Sequence, residues 1–565
     1  MMLSYVHGPS TVSLLGETIG ASLDRAAARF ADRDALISCH QNLRYTYGEL
    51  LGEVNRAARA LLALGVERGD RVGIWSASNA EWLIVQYAAA KVGAILVNVN
   101  PSYRLRELEY ALNQSGVRVL VTARGFRKTD YVEMLTTLMP ELMVQRPGPL
   151  NTEKVPALEH LIYLGSGAAP GGITWDEFVR RADCVSASDL SAREALLQFD
   201  DPINIQYTSG TTGSPKGATL SHHNILNNGF FVGEALKYTE EDRICVPVPF
   251  YHCFGCVMGN LAAVTHGAAI VIPAETFDPE STLRAIETER CTSIYGVPTM
   301  FIAQLDHPAC GSFRLDSLRT GIMAGAPCPI EVMRTVIERM HVREVTICYG
   351  MTETSPVSFQ SAVDDVLELR VSTVGRVHPH VECKIIDPAD GTVVPRGTAG
   401  ELCTRGYSVM LGYWNNSEAT AGAIDTAGWM HTGDLAVMHD SGYVNISGRL
   451  KDMIIRGGEN IYPREIEEFL YTHPKVSDVQ VIGVPDIKYG EEVCAWVRLR
   501  DGQNATDTEI REFCRGQIAS CKIPRYVRFA TEFPTTVTGK IQKFKMREIS
   551  IEELGLGRAD AVKTA

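Results

Sequence analysis

The sequence predicts an α/β protein with more than one domain, and three observations support this. The chain has 565 residues, more than a single hydrophobic core usually organises. Its N-terminal half alternates short apolar runs with amphipathic segments, which indicates mostly parallel sheets covered by helices. From about residue 381 onward, short strands and turns predict a β-rich subdomain, and the C-terminal part predicts a small α+β domain.

Local signals place the individual elements. Thr46 and Glu49 form a capping-box pattern at the start of one predicted helix, and Ser78 with Glu81 marks the start of the next. A third helix should begin near Leu105. The predicted strands are 71–75, 94–97, 117–122, 267–272 and 292–297 in the N-terminal half, and 479–484, 492–499 and 526–530 in the C-terminal part, where 507–519 predicts a helix.

Composition excludes several classes of protein. The formal net charge of −13 argues against a general binder of nucleic acid or of anionic membranes. No apolar run is long enough for a membrane-spanning helix, because the best of them, 83–97, is interrupted by Gln86 and Lys91. The fourteen cysteines are scattered and the first residues lack the pattern of a secretory leader, so we expect reduced thiols in a cytoplasmic protein. Composition leaves the oligomeric state open, including a homo-oligomer.

A loop rich in glycine and hydroxyl groups is the most informative stretch of the chain. It reads Tyr207-Thr-Ser-Gly-Thr-Thr-Gly-Ser-Pro-Lys-Gly217, between an extended segment and a helix predicted to begin near Ser221. Glycine lets backbone N–H groups approach an anion, hydroxyls donate hydrogen bonds, and Lys216 supplies a positive charge. Because Pro215 precedes the lysine, this is not a Walker A loop. The string predicts a phosphate site of another kind.

The same string resembles the phosphate-loop signature of the adenylate-forming superfamily, which includes acyl-CoA synthetases, luciferases and nonribosomal adenylation domains. The resemblance covers nearly the whole chain and implies that ATP, Mg²⁺ and coenzyme A are bound. It implies that the ATP phosphates are held by Thr208, Ser209, Gly210, Thr211, Thr212, Gly213, Ser214, Pro215 and Lys216.

Two later segments resemble the part of the superfamily's site that binds the nucleotide. The resemblance implies that Tyr349 stacks on adenine, that Thr352 contacts the α-phosphate, and that Glu353 helps to hold Mg²⁺. A carboxylate suits that metal, which prefers oxygen ligands. The remaining nucleotide-binding residues implied here are Gly325, Ala326, Pro327, Gly350 and Met351.

The resemblance also divides the chain into domains. Lys451 matches the superfamily's hinge, which implies an N-terminal domain over 1–449 with a β-rich subdomain at about 381–449, a hinge over 450–452, and a mobile C-terminal domain over 453–565. Asp434 matches the acid that binds the ATP ribose, and Arg449 matches a residue that contacts ribose and phosphate.

Three residues of the C-terminal part match positions that serve the chemistry. Gly457 and Gly458 match glycines beside the tunnel for the pantetheine arm of coenzyme A. Lys540, in Pro534-Thr-Thr-Val-Thr-Gly-Lys540, matches the catalytic lysine of adenylation. The alternative reading of Lys540 is a surface lysine in a basic tail.

The segment from Cys245 to Gly255 resembles the superfamily's acyl-pocket stretch. For His252, a pocket-wall residue and a hydrogen-bonded core histidine are equal alternatives. Cys253 and Cys256 have the spacing of a metal or redox pair, but without a second pair at zinc spacing we favour wall residues. The predicted acyl-pocket residues are His252, Cys253, Gly255, Cys256, Gly296, Val297 and Ala324.

The chain is most similar to medium-chain fatty acyl-CoA ligases, notably at Asn98-Val-Asn-Pro-Ser-Tyr-Arg104. The implied reaction converts a carboxylate and ATP to acyl-AMP and pyrophosphate, and then acyl-AMP and coenzyme A to acyl-CoA and AMP. An aryl-CoA or other carboxylate-CoA ligase and a luciferase-like adenylating enzyme remain as alternatives. A nonribosomal adenylation domain is disfavoured, because Tyr251 and His252 stand where an acid for the substrate amine is expected. A regulatory nucleotide-binding protein is disfavoured, because Lys540, Glu353 and the phosphate loop are all present.

Overall fold

The computed structural model describes residues 2–145, 148–208, 215–326, 328, 330–457, 459–535 and 541–556. The chain divides into two compact units. The larger unit contains His7–Glu382 and Thr404–Met430, and the smaller contains Met1–Val6, Cys383–Cys403 and His431–Ala565. The predicted α/β class is confirmed, whereas a hinge over 450–452 stays a prediction.

The first large sheet of the larger unit has eight strands and is mostly parallel, as the alternation of helix and strand predicted. Only its last two pairings are antiparallel. In spatial order, its strands are Ile173–Thr174, His160–Tyr163, Val117–Thr122, Arg71–Trp75, Ile95–Asn98, Pro202–Thr208, Lys216–Ser221 and Gly412–Tyr413.

The second large sheet has nine strands, of which six neighbouring strands run parallel. In spatial order, they are Arg376–Val377, Val357–Gln360, Glu344–Gly350, Thr320–Ala324, Ser293–Gly296, Arg243–Cys245, Ala269–Ile272, Asp34–Ser38 and Leu43–Thr46. The first two and the last join antiparallel to their neighbours. A two-stranded ribbon, Gly125–Phe126 with Thr129–Asp130, completes the strands of this unit outside the β-rich region.

Helices cover these sheets. The helix Tyr47–Ala63 begins with the predicted capping box, because Thr46 accepts from the Glu49 N–H and the Glu49 side chain accepts from the Thr46 N–H. The start of the next helix was predicted wrongly by one residue, since Asn79 rather than Ser78 caps it. The α-helices of this unit are Ile19–Phe30, Tyr47–Ala63, Ala80–Val92, Leu105–Ser115, Tyr131–Leu138, Trp175–Arg180, Ala187–Glu194, His222–Ala235, Cys253–Gly255, Ala262–His266, Pro279–Glu289, Pro298–Leu305, Ile330–Arg339, Leu367–Ser372 and Ser417–Ala423, with a π-helical turn at Cys256–Leu261.

The core of the larger unit is continuous between the two sheets. The helix Ala80–Val92 is buried around its whole circumference, as expected for a helix enclosed on all sides. Its apolar residues belong to one cluster with Leu96 of the first sheet and Ile270 of the second. The charge of its buried Lys91 is balanced by Asp24 and Glu194, which lie 2.7 and 2.5 Å from Nζ. This core fixes both sheets as a rigid support for the residues at their edges.

The smaller unit is built on antiparallel strands. Tyr5–His7, Val381–Ile386, Ala399–Gly406, Met430–Met438 and Val444–Arg449 form one sheet, and Glu459–Ile461, Ile454–Arg456, Gly490–Leu499, Val476–Asp486 and Tyr526–Phe529 form another. The helices are Pro463–Tyr471, Asp507–Cys514 and Lys543–Glu553. The helix predicted over 507–519 is shorter than expected, because Arg515 is extended and Gly516 has a φ of 74°. Among the described helices, none is both long and apolar enough to cross a membrane.

Candidate active site

The two described ends of the predicted phosphate loop belong to a pair of antiparallel strands. Strands Pro202–Thr208 and Lys216–Ser221 pair antiparallel with Thr208 opposite Lys216. The second strand was missed, because its sequence contains no strong strand signal and its pairing depends on the first. Residues 209–214, which make up most of the predicted loop, lie outside the described residues. The exposed side chain of Lys216 stands at the first position of its strand.

A tyrosine that the sequence did not single out connects Lys216 with the predicted metal-binding acid. The short strand Gly412–Tyr413 pairs with the strand of Lys216. The Lys216 Nζ lies 5.1 Å from the centre of the Tyr413 ring, within the range of a cation–π contact. The Tyr413 hydroxyl donates a hydrogen bond of 2.9 Å to Glu353 Oε1. Burial, followed by the charge of Glu353, raises the pKa of Tyr413, so the hydroxyl keeps its proton and remains a donor.

The carboxylate of Glu353 fits the role of a magnesium ligand. It is 5% exposed, and its backbone carbonyl accepts from the Met410 N–H at 2.9 Å, so both ends of the residue are fixed. A carboxylate offers about four acceptor positions, and the hydrogen bond from Tyr413 uses one. The other positions provide the oxygen donors that Mg²⁺ prefers.

Thr352 lies between the predicted nucleotide residues and the predicted acyl pocket. It begins a short 3₁₀-helix, Thr352–Thr354, after the strand Glu344–Gly350. Its Oγ1 lies 3.8 Å from the Sγ of Cys253. The strand ends at Gly350, where the backbone passes close to the Pro356 carbonyl. A Cβ at this position would lie 1.8 Å from that carbonyl oxygen, so no larger residue fits without a backbone shift. The geometry therefore places a hydroxyl beside Cys253, one of the residues predicted to line the acyl pocket.

The residues predicted to surround adenine meet at one edge of the nine-stranded sheet. Three neighbouring parallel strands, ending at Gly296, Ala324 and Gly350, have their carboxyl ends there, which is where ligands bind in open α/β sheets. Gly325 has a φ of 86°, and a Cβ on it would lie 3.2 Å from Val297 Cγ1. Ala326 is exposed and Met351 is half-buried at the same edge, whereas Pro327 lies outside the described residues.

Tyr349 is half-buried near the end of its strand. Its ring is edge-on to Phe359 at 6.2 Å between ring centres. Phe359 is fully buried on the adjacent antiparallel strand, so it fixes the tyrosine ring from the side of the core. The stacking of Tyr349 on adenine stays a prediction.

Cys253 and Cys256 are buried thiols rather than a reactive pair. Burial raises the pKa of Cys253 to about 12 and raises that of Cys256 further above its usual value, so neither forms a thiolate readily. None of the fourteen cysteines, all of which lie among the described residues, takes part in a disulfide. The Sγ of Cys256 lies 3.6 Å from Asn98 Nδ2 and 3.5 Å from Gln206 Nε2. Both cysteines therefore behave as small buried residues, and their place in the wall of an acyl pocket stays a prediction.

The other predicted wall residues have local structural roles as well. His252 caps the short helix Cys253–Gly255, since its Nδ1 accepts from the Phe254 N–H at 3.1 Å. This is the hydrogen-bonded alternative, and because the ring is half-buried it remains compatible with a place in the wall. A Cβ at Gly255 would lie 2.5 Å from the Pro249 carbonyl oxygen, and one at Gly296 would lie 2.9 Å from the Phe301 ring. Close packing thus requires both glycines.

In the smaller unit, the two predicted ribose-binding residues face each other across a hairpin. Asp434 is paired in register with Arg449, and Arg449 Nε lies 3.1 Å from Asp434 Oδ1. Lys451 follows in a 3₁₀ turn. Burial, and then the nearby charge of Arg449, lowers the pKa of Lys451. The arrangement gathers two cations around the one carboxylate predicted to bind the nucleotide.

Glu401 supports the turn that carries Asp434, although the sequence did not indicate it. Its Oε1 accepts from the Gly433 N–H at 3.1 Å and its Oε2 lies 3.0 Å from His431 Nδ1. The Thr432 hydroxyl accepts from the Asp434 N–H at 3.1 Å. Because Glu401 lies about thirty positions from the turn in the chain, no local pattern could have revealed this contact.

Gly457 lies in the turn between strands Ile454–Arg456 and Glu459–Ile461, with a φ of 60°. A Cβ there would lie 3.2 Å from the ring of Tyr489, and the Gly457 N–H donates to the Tyr489 carbonyl at 2.8 Å. Both the left-handed backbone and the close approach require glycine. Gly458 and Lys540 lie outside the described residues, so their roles stay predictions, as do those of the other site residues.

The chain is similar to known proteins over nearly its whole length. Residues 23–414 match the family model described as AMP-binding enzyme, and residues 465–540 match the AMP-binding enzyme C-terminal domain. The chain is 50% identical over 543 residues to YngI of Bacillus subtilis (strain 168), provisionally named an acyl-CoA synthetase, covering 96% of this chain and 99% of that protein. It is 45% identical over 555 residues to the mitochondrial medium-chain acyl-CoA ligase ACSF2 of Danio rerio, and the match covers 98% of this chain and 91% of that protein.

Two solved structures share the fold. The anthranilate CoA ligase AuaEII in complex with anthranoyl-AMP superposes with a TM-score of 0.84 at 27% identity, covering 97% of this chain and 99% of that chain. ATP-bound MatB from Rhodopseudomonas palustris superposes with a TM-score of 0.79 at 28% identity, and the match covers 94% of this chain and 99% of that chain.

Proposed function

Because the chain belongs to the family of AMP-binding enzymes, we propose that it is an ATP-dependent, AMP-forming acyl-CoA ligase that acts on medium-chain fatty acids. The observation that carries the proposal is the linked group of Lys216, Tyr413 and Glu353, beside the contact of Thr352 with Cys253. It combines a cation, a buried carboxylate, a hydroxyl and an apolar wall. These are the groups that the transfer of an adenylyl group to a fatty acid needs.

In the first half-reaction, the fatty acid carboxylate attacks the α-phosphorus of ATP, and pyrophosphate leaves. Lys216 neutralises charge on the departing pyrophosphate, and the Thr352 hydroxyl donates a hydrogen bond to an α-phosphate oxygen. Glu353 would hold Mg²⁺, which would supply further neutralisation of the phosphate oxygens. Lys540 pairs with the carboxylate and the α-phosphate as negative charge accumulates there. Catalysis consists of positioning and charge stabilisation, with no nucleophile from the protein.

In the second half-reaction, the thiol of coenzyme A attacks the acyl carbon, and AMP leaves with the electron pair of the broken acyl–phosphate bond. Asp434 accepts hydrogen bonds from the ribose hydroxyls in both steps, and Arg449 holds the acid in place. Gly457, which has no side chain, leaves room for the pantetheine arm.

The preference for a medium-chain acid is supported by the wall residues and by the ACSF2 relatives, whose name specifies medium-chain substrates. Cys253, Cys256, Gly296 and Ala324 are small or apolar, and Cys253, Cys256 and Ala324 are buried. Each methylene group that the pocket buries adds about 0.8 kcal/mol, or about fourfold in kcat/KM, until the pocket is filled.

Release of AMP, measured with acetate, hexanoate, octanoate, decanoate, palmitate, benzoate and anthranilate as substrates, tests the proposal. We expect kcat/KM to rise with chain length up to a medium-chain acid and then to fall. A maximum for benzoate or anthranilate would instead identify an aryl-CoA ligase, the activity named for the structural relative AuaEII. Release that requires an acid but not coenzyme A would contradict the ligase assignment.

A cytoplasmic location is part of the same proposal. The fourteen cysteines form no disulfide, which supports a reducing compartment, whereas the ACSF2 relatives are named as mitochondrial proteins. Cell fractionation followed by immunodetection of the tagged protein distinguishes the two locations.

A further inference from the structure

Three side chains with different donor atoms meet on two neighbouring strands of the smaller unit. Glu401 and Cys403 are two positions apart on the strand Ala399–Gly406 and therefore share one face of the sheet. His431 projects from the adjacent strand Met430–Met438. One carboxylate oxygen, one sulfur and one ring nitrogen of these residues all lie within 4.8 Å of one another. In the part of the chain that the structure describes, no other histidine, cysteine and acid side chains form such a group.

The separations between these atoms match those of ligands on one tetrahedral metal ion. Cys403 Sγ lies 3.6 Å from His431 Nδ1, and His431 Nδ1 lies 3.0 Å from Glu401 Oε2. Bonds of about 2.3 Å from zinc to sulfur and about 2.0 Å to nitrogen and oxygen, at tetrahedral angles, separate sulfur from nitrogen by about 3.6 Å and nitrogen from oxygen by about 3.3 Å. These two separations lie within a few tenths of an ångström of the tetrahedral values, and the donor atoms of Glu401 and Cys403 lie within 4.8 Å of each other.

The donor set selects the kind of metal. A thiolate, an imidazole and a carboxylate together suit Zn²⁺ and similar first-row ions, and do not suit Mg²⁺ or Ca²⁺, which prefer oxygen ligands alone. Cys403 is fully buried, whereas the side chain of His431 is 32% exposed and that of Glu401 is 11% exposed. The sulfur thus forms the floor of the site, and the exposed side of the histidine gives an ion and a fourth, water ligand access from solvent.

The surroundings hold the ligands in place. The second carboxylate oxygen of Glu401 accepts from the Gly433 N–H at 3.1 Å, which orients the acid as outer hydrogen bonds do in metal sites. Cys383, on the neighbouring strand Val381–Ile386, is fully buried as well, so it offers a matched thiol as a control.

From this geometry we infer that Glu401, Cys403 and His431 form a site for a Zn²⁺-class ion, separate from the magnesium ligand Glu353. Binding releases the proton of the Cys403 thiol to solvent and replaces the hydrogen bond between His431 and Glu401. The Nδ1 proton of His431 is lost to solvent while Nε2 takes one up, so the neutral ring binds the ion through Nδ1 and the net release is one proton. Because His431 lies three positions before Asp434 in the chain, the ion would fix the start of the turn that carries the ribose acid.

Cobalt titration of the full-length, chelator-treated protein tests the inference, since Co²⁺ reports a thiolate ligand by its sulfur-to-metal charge-transfer absorption. We expect one saturable equivalent of Co²⁺ with this absorption, displaced by Zn²⁺ and accompanied by proton release. The exposed Cys184 is first replaced in the background variant Cys184→Ser to remove a surface thiol.

Two variants assign the ligands, and one serves as a control. Cys403→Ser should abolish the charge-transfer band, and His431→Asn, which keeps a donor for Glu401, should weaken Co²⁺ binding at least about tenfold. The matched control Cys383→Ser should keep both the band and the affinity. Absence of a saturable equivalent in the parent, or an unchanged band in Cys403→Ser, would overturn the inference. If circular dichroism shows that Cys403→Ser is unfolded, an unchanged affinity of His431→Asn for Co²⁺ would overturn the inference in the same way.

Discussion

Tyr413 and Glu353, sixty positions apart in the chain, are joined by a hydrogen bond of 2.9 Å from the tyrosine hydroxyl to the carboxylate. The same tyrosine ring lies beneath the Lys216 ammonium group at 5.1 Å. One side chain thus orients the predicted metal ligand with its hydroxyl and the predicted phosphate ligand with its ring. This relationship makes Tyr413 a positioning residue for two opposite charges.

Replacement of Tyr413 by phenylalanine should weaken the use of Mg²⁺. Tyr413→Phe removes the hydrogen bond to a charged acceptor, which costs about 1.5–3 kcal/mol, and it keeps the ring beneath Lys216. We expect the Mg²⁺ concentration for half-maximal ATP–pyrophosphate exchange to rise roughly ten- to a hundredfold. Tyr413→Leu, which also removes the ring, should in addition raise the KM for ATP.

Tyr47→Phe is the control for this pair. The Tyr47 hydroxyl donates to the Ala268 carbonyl at 2.7 Å in the core, so its loss should lower thermal stability and leave the Mg²⁺ dependence as in the parent. Equal Mg²⁺ dependence in Tyr413→Phe and the parent would show that the hydrogen bond does not position the metal ligand.

Local sequence signals predicted the fold better than they predicted the site. The capping box of Thr46 and Glu49 involves residues three positions apart, so it could be read from the sequence and is confirmed. The next cap was wrong by one residue because Ser78 and Asn79 are both good capping residues, and only the structure shows that Asn79 accepts from the Trp82 N–H. Neighbouring capping residues of equal strength therefore leave an uncertainty of one position.

Tertiary contacts account for what the sequence could not reveal. Tyr413 and Glu401 have ordinary sequence surroundings, and each acquires its importance from a partner that is distant in the chain. The strand Lys216–Ser221 exists because it pairs with Pro202–Thr208, and β-propensity depends strongly on such context. Motifs identified the groups that carry charge, whereas the residues that position them became visible only in the fold.

Two buried histidines should make the larger unit sensitive to acid. Burial lowers the pKa of both His222 and His378 to about 3, whereas each titrates near 6.5 when unfolded. The unfolded state therefore binds more protons, and stability that is complete above pH 6.5 is lost as the pH falls toward 3. Between pH 6.5 and pH 5, each histidine should lower the free energy of unfolding by up to about 2 kcal/mol.

Conservative variants isolate this contribution. His222 accepts from the Ile19 N–H through Nδ1, and His378 is bonded to Gln360 through Nε2, so His222→Asn and His378→Gln can each retain a hydrogen bond at the same position. Urea unfolding is followed by tryptophan fluorescence between pH 5 and pH 6.5. As the pH is lowered, the urea concentration at the unfolding midpoint should fall less in the double variant than in the parent. If the midpoint depends on pH as steeply in the double variant as in the parent, the two histidines are not the source of the acid sensitivity.

The hinge prediction separates the two half-reactions. A hinge residue must adopt two backbone conformations, and proline fixes φ near about −65°. Lys451→Pro should therefore slow thioester formation more than adenylation. Lys451→Ala should change the rates of the two half-reactions by more similar factors. Rapid-quench measurement of each half-reaction checks this, and an equal loss in both for Lys451→Pro would mean that Lys451 is not the hinge or that the substitution disrupts the fold.

Single-turnover kinetics of Lys540→Ala test the central claim most directly, because that claim is an adenylate formed in one step and consumed in another. The ammonium group stabilises charge that develops on the α-phosphate during adenylation, so its loss should slow acid-dependent ATP–pyrophosphate exchange by about 10²–10³. Lys540→Arg, which retains a positive charge, should recover part of this rate. The same folded Lys540→Ala protein should convert preformed octanoyl-AMP and coenzyme A to octanoyl-CoA at close to the parent rate. Normal exchange in Lys540→Ala, or failure of the parent to use octanoyl-AMP, would contradict the account.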